Sequence, residues 1–255
     1  MPEPEPDPND SVPHFQRITD AIRQQIRSGS MAEHTALPSE RTIGKLFGVS
    51  RMTARRALVA IEIEGLAYSS GRKGRFVSPK RLRYDIGSMV SFSAAAEAEA
   101  IGMTIKLIDA GVVQADSALA ATLAVEVGTD LFKYTRLFLI RGHPTFIEVE
   151  YAIAELFPGF LDFDLQQSTM MLFDQHYNIS GRTGEIVIRM RSIQEFEATL
   201  LGLASYNAGI ELEQITYDKN GRPFCFDQQI WRGELAEFSG LAVAIDPKKK
   251  DMLED

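Results

Sequence analysis

The stretch Gly48 to Leu58, GVSRMTARRAL, gathers Arg51, Arg55 and Arg56 in a chain of 255 residues whose formal net charge is -8. On a helix Arg51 and Arg55 lie one turn apart and share a face, with Ala54, Leu58 and Ile61 on the opposite side. A guanidinium fork matches guanine O6 and N7, and residues near the start of a recognition helix are the ones that reach base edges in the major groove. Ser50 and Thr53 stand at the same end, where hydroxyls and free backbone N–H groups favour a phosphate. The chemistry on offer is the reading of a polyanion. The bland alternative is a solvated helix face with incidental arginines.

The distribution of charge separates these readings. Residues 41–83 hold eleven Lys or Arg against Glu62 and Glu64, whereas residues 84–255 hold thirteen against twenty-six acids. A small basic module on a larger acidic body is the asymmetry expected when one part alone meets nucleic acid. Other classes fit poorly. No run approaches the roughly 18 apolar residues that span a bilayer. The opening MPEPEPDPND is acidic and proline-rich, without the cationic and apolar regions of an export signal, and reads as a disordered tail. One cysteine, Cys225, excludes an intrachain disulfide, and the four histidines lack ligand spacing. A cytoplasmic protein without metal or cofactor, and without membrane contact, is expected.

Helices and hairpins must position these residues. Ile18, Ile22 and Ile26 mark a helix over Phe15 to Arg27, ended by Gly29. Ser39 is an N-cap for a short helix to about Phe47, stopped at Gly48. Ser50 caps a longer one that runs to about Glu64. Leu66 to Tyr68 and Arg75 to Val77 then read as two strands around the loop SSGRKG, whose Arg72 and Lys73, with Arg75, lie where a wing touches DNA. Three helices and a hairpin in this order make a winged helix-turn-helix. The segments run as a tail over 1–12, this domain over 13–78, a linker over 79–90, a second domain over 91–245 and a charged tail over 246–255.

The stretch LPSERTIGKLFGVSRMTARRALVAIEIEGLAYSSGRKGRFV, Leu37 to Val77, closely resembles the DNA-binding domain of GntR-family transcriptional regulators. The resemblance implies that Arg41, Arg51 and Arg55 contact bases and phosphates with support from Ser39 and Thr53, and that the protein is a homodimer on a palindromic operator. The wing departs from the family's Gly-x-Gly-Thr-Phe-Val ending. Arg72 replaces the first glycine, unless Gly71 serves in a shifted turn, and Arg75 replaces the threonine; the added charge is expected to raise affinity and its salt dependence more than specificity.

Beyond residue 90 hairpins alternate with helices, which indicates an α+β domain with a mainly antiparallel sheet. Strands are expected over KLIDAGVVQ, on both sides of Arg141 to Pro144, over GEIVIRMRSI, and on both sides of Asn220-Gly221. Helices are expected over SFSAAAEAEAIG, SALAATLAVEVG, STMMLFDQHYN and EFEATLLGLA. In order, SFS, YTRLFLIRGHPTFIEVEY, FPGF, STMMLF and YDKNGRPFCFDQQIWRG resemble the UTRA effector domain of the HutC-like subgroup. That resemblance implies a chorismate-lyase-like fold and effector contacts at Ser91, Ser93, Arg136, Glu148, Ser168 and Trp231. Sugar-phosphate-binding relatives carry Arg-x-Arg where this chain has Arg136-Leu-Phe138, a tyrosine at Met170, and an acid at Cys225. With one cation fewer, the ligand is expected to be a smaller or more apolar organic acid. No nucleophile–base pair or phosphate-cradling loop points to an enzyme. The expectation is a ligand-responsive regulator, most simply a repressor; the rival is a constitutive architectural DNA-binding protein whose second domain only dimerises.

Overall fold

The computed structural model describes residues 13–70, 73–87, 102–203 and 207–241. In the first domain α1 (His14–Arg27), α2 (Glu40–Phe47) and α3 (Arg51–Ile63) precede the antiparallel pair β1 (Ala67–Ser69) and β2 (Arg75–Val77). Ser39 Oγ accepts the Thr42 N–H and Ser50 Oγ the Thr53 N–H, each at 3.1 Å, so both serines start helices as their sequence positions imply. Gly48 ends α2 at φ 66°, a conformation that a side chain would strain.

Ile18, Ile22, Ile43, Leu58 and Ile61 meet in the core beside Ala54 and Ala57, whose small size lets the helices approach. Each buried aliphatic side chain contributes roughly 1.5–3 kcal/mol. Glu64, at the end of α3, accepts from both Arg23 Nε at 2.9 Å and Arg23 Nη2 at 2.6 Å, tying that end to α1.

The second domain is built on a six-stranded antiparallel sheet in the order β4-β5-β6-β9-β8-β7. These strands are β4 (Met103–Gln114), β5 (Asp130–Ile140), β6 (His143–Ile153), β7 (Thr183–Ser192), β8 (Ala208–Tyr217) and β9 (Pro223–Arg232). Two three-stranded meanders are thus joined where β6 pairs β9. The hairpin expected around Asn220-Gly221 forms, with Asp218 Oδ1 accepting the N–H groups of Asn220 at 2.7 Å and Arg222 at 2.9 Å.

Side chains alternate across the sheet. On one face α4 (Ser117–Leu123) covers Leu131, Ile153 and Phe226, while α6 (Glu195–Leu201) covers Leu137, Ile147 and Ile230. On the other face α5 (Thr169–Tyr177) packs with Phe132, Tyr134, Phe157 and Phe160. Gly209 must lack a side chain, because a Cβ there would meet Ile230 at 2.7 Å and Ile193 at 2.8 Å.

Two strands escaped the sequence pattern. Leu82–Asp85 (β3) lies inside the stretch expected as a linker and pairs in parallel with β10 (Ala236–Ser239). Each is four residues long, too short for alternation to declare itself. Tyr84 and Ala236 of this pair pack on Phe138, Phe146, Leu212 and Trp231 of the large sheet. The chain leaving the winged helix is therefore anchored on the second domain within five residues of β2. The helix expected at SFSAAAEAEAIG lies outside the described residues, apart from Gly102.

Candidate nucleic-acid interface and buried polar row

The three arginines of α3 part company in the fold. Arg56, though exposed, lies against α1, its guanidinium 4.0 Å from the Phe15 ring centre. Arg55 is exposed, and the Arg51 side chain is 80% exposed. Arg51 Nε donates to Glu40 Oε2 at 2.8 Å, and that hydrogen bond is the main cause holding Glu40 below the usual carboxylate range. An ion pair this exposed contributes little stability and yields easily to a phosphate. Arg41 and Lys73, both exposed, line a cleft of about 450 Å³ with Arg51, Ser39 and Gly74. Three cations from α2, α3 and the wing thus converge on one side of the domain.

Two expectations change here. Arg75 was assigned to a wing contact, yet its Nε donates to Glu62 Oε2 at 2.8 Å and its Nη1 lies 3.6 Å from Glu40. It fastens the wing to the helices because two carboxylates behind it outbid solvent. Ser39, Ser50 and Thr53 spend their hydroxyls locally, Ser39 on Thr42 Oγ1 at 2.8 Å and Ser50 on Thr53 Oγ1 at 2.9 Å. Their part is to shape the helix starts that present backbone N–H groups. Arg72 lies outside the described residues.

In the second domain strand register gathers a polar row beneath α5. Arg136 stands opposite Glu148, which stands opposite Gln229; one step along, Tyr134, Glu150 and Asp227 align in the same way. The Arg136 side chain is 3% exposed. Its Nε and Nη2 reach Glu148 Oε2 at 3.0 and 2.5 Å, and Nη2 also reaches Glu150 at 3.2 Å and Thr169 Oγ1 at 3.2 Å. Its Nη1 donates to the carbonyls of Gln167 at 2.8 Å and Leu165 at 3.3 Å. The guanidinium expected to hold an anionic effector is thus already surrounded by acceptors.

Acids outnumber Arg136 in this row, and burial disfavours their charge. Burial pushes Glu148 up to about 7, with Glu150 adding to the rise while Arg136 opposes it. Burial raises Asp227 well above the carboxylate range, helped by Glu148 and Glu150. Cys225, beside Glu150 Oε1 at 2.8 Å, is likewise kept a thiol by burial first and the neighbouring carboxylates second.

Ser168 is the buried N-cap of α5, accepting the Met171 N–H at 3.3 Å, and so sits beside the row. Trp231 was assigned to the effector but is fully buried in the aromatic core. Its ring stacks on Phe146 at 3.8 Å, and its indole N–H donates to Gln229 Oε1 at 2.8 Å. Gln229 in turn donates to Asp227 at 3.0 Å, so Trp231 orients the row from behind. Ser91 and Ser93 lie outside the described residues.

The sequence reading missed Glu150, Gln229, Thr169 and Tyr84, and placed Asp227 in no site. Glu148 and Glu150 share a strand face by simple alternation, a signal that was available. Tyr84, from β3, faces the same row. Burial pushes its hydroxyl above the ordinary tyrosine range, with Asp227 and Glu148 as the next causes and Gln229 as a hydrogen-bonding neighbour.

Comparison with known proteins agrees with this division. Residues 15–77 match the model of "Bacterial regulatory proteins, gntR family", and residues 99–237 match the "UTRA domain". The "HTH-type transcriptional repressor NagR" of Bacillus subtilis (strain 168) is 26% identical over 227 residues, spanning 89% of this chain and 93% of that protein. The "HTH-type transcriptional regulator GgaR" of Escherichia coli (strain K12) is 25% identical over 233 residues, 90% of this chain and 91% of that one.

Among solved structures, PhnF from Mycobacterium smegmatis shares the fold with a TM-score of 0.63 at 23% identity, covering 89% of this chain and all of that one. Among the described residues no helix is long and apolar enough to cross a membrane. The relatives are DNA-binding transcriptional regulators, and the chain belongs to the GntR family, in the HutC-like subgroup that joins its helix-turn-helix to a UTRA domain.

Proposed function

We propose that the protein is a cytoplasmic, homodimeric repressor that leaves a palindromic operator when a small metabolite binds its UTRA domain. The carrying observation is that Arg51 and Arg55 remain open on α3 while the face carrying Ala54, Ala57, Leu58 and Ile61 is packed in the core. Arg51 and Arg55 read bases; Arg41, Lys73 and Arg72 hold phosphates; Ser39, Ser50 and Thr53 set the helix starts, and Arg75 sets the angle of the wing. The polar row is the effector site, with Arg136, Glu148, Ser168, Ser91 and Ser93 around the ligand and Trp231 behind it. Because acids prevail there, a ligand rich in hydrogen-bond donors fits better than the organic acid the sequence favoured.

Tyr84 supplies the link between the two sites. It packs edge-on against Trp231 at 5.7 Å and belongs to β3, the strand that follows the wing. A ligand that moves the row shifts β3, and with it the spacing of two recognition helices that must engage half-sites at a fixed separation. The edge strand β4 exposes Leu107, Ile108 and Val112, an apolar stripe that supports dimerisation through this domain. The name of the NagR relative favours repression over activation.

The test begins with operator fragments selected from genomic DNA by the full chain. Operator affinity and thermal stability are then followed across a metabolite panel. At least one donor-rich metabolite is expected to raise the melting temperature and weaken operator binding ten-fold or more. A panel that moves neither quantity would leave the constitutive architectural reading in its place.

A further inference from the structure

Between the winged helix and the sheet domain lies a second cleft, of about 300 Å³, far from the acids of the polar row in chemical character. Glu33 and His34 line it from the loop after α1, and Arg141 and His143 line it from the β5–β6 turn. Lys80, Arg81 and Arg83 of the connecting segment close it. Four permanent cations therefore face a single carboxylate. That carboxylate is already engaged, with Arg141 Nη1 at 3.2 Å and the Lys80 backbone N–H at 3.0 Å.

Among the described residues the side chains of Lys80, Arg81 and Arg83 have no carboxylate partner, and Arg83 Nε donates only to the neutral Ser239 Oγ at 3.1 Å. The walls come from both domains and meet ring to ring. His34 and His143 stack with centroids 3.5 Å apart and planes 5° from parallel. Arg232 lies 4.7 Å over Tyr68 at the same junction. A local excess of three positive charges in a chain of net charge -8 is a costly way to fill a seam unless something negative joins it. The volume stands at the small end of ligand cavities.

We propose that this cleft is a second ligand site, for a small phosphate-class anion, and that its occupant ties the winged helix to the UTRA domain. The anion pairs with Arg141 of the sheet domain and with Arg81, Arg83 and the Lys80 ammonium of the connecting segment, in a cleft whose remaining wall, Glu33 and His34, belongs to the winged helix. Occupancy fixes the relative placement of the domains, independently of the acid-rich row.

Inorganic phosphate titrated into the full chain, at ionic strength matched with chloride, tests the assignment by calorimetry and by tryptic cleavage after Arg81. Saturable binding is expected, with cleavage slowed at least ten-fold at saturation. Lys80→Ala with Arg83→Ala, both exposed positions, should weaken binding ten-fold or more and abolish the protection of the Arg81 bond. Glu148→Gln in the polar row and Arg51→Ala on α3 should leave phosphate binding unchanged. The proposal is overturned if phosphate does no more than chloride. It is also overturned if the double variant binds as the parent does, or if Arg51→Ala removes the binding.

Discussion

On α3 the Arg51 side chain is 80% exposed and holds one carboxylate, Glu40; on β5 the Arg136 side chain is 3% exposed and holds Glu148, Glu150, Thr169 and two carbonyls. The same guanidinium serves opposite ends. At the surface its single partner is weakly held and exchangeable, so the group is kept for an outside polyanion. In the interior every donor is spent, and the group organises the sheet on which a ligand rests. Location and partner count distinguish reading from scaffolding.

The contrast breaks most readily at Arg136. Replacing it by alanine leaves Glu148 and Glu150 buried without their cation, and breaking a buried pair in this way costs about 3–5 kcal/mol. Urea denaturation should register that loss, whereas the exposed Arg51→Ala should stay within about 0.5 kcal/mol of the parent. Equal losses in the two variants would erase the distinction.

Next in size is the titration of the row. Glu148, raised to about 7, binds a proton more readily folded than unfolded, so its contribution to stability is full below about 4.5 and is lost as pH rises through about 7. The junction histidines have the opposite sign. Burial lowers both His34 and His143, reinforced for His34 by His143 and for His143 by Arg232, so stability falls as pH drops below about 6.5. Carboxyl NMR of the full chain should give Glu148 a midpoint near 7, and an ordinary glutamate midpoint would contradict its burial among like charges. The smallest effect belongs to the wing. Lys73→Ala should lower the slope of log affinity against log salt by about 0.9 while leaving operator preference intact.

What was legible in the sequence was local. Ser39 and Ser50 as caps, Gly48 as a stop and the 3–4 spacing of Ala54, Leu58 and Ile61 each follow from neighbours within a turn or two. The failures involve distance. Arg75 reads as a free wing cation until Glu62, thirteen residues earlier, is folded against it. Arg83 and Ser239 meet across 156 residues through a parallel strand pair that no local pattern announces. Trp231 lies on the expected strand, but stacking on Phe146 turns it from a ligand contact into core. Arg136 and Glu148 were singled out by resemblance, while the company of Glu150 and Asp227, which crowds three acids around one guanidinium, required the register of three strands.

Measuring how strongly Arg51→Ala prefers a selected operator over random duplex, by fluorescence anisotropy at fixed salt, puts the reading role of α3 to its sharpest trial. The preference is expected to fall by roughly 1–3 kcal/mol, the discrimination of one bidentate base contact, while much of the non-specific affinity persists. A variant that keeps the full preference for the operator would show that Arg51 does not read the DNA.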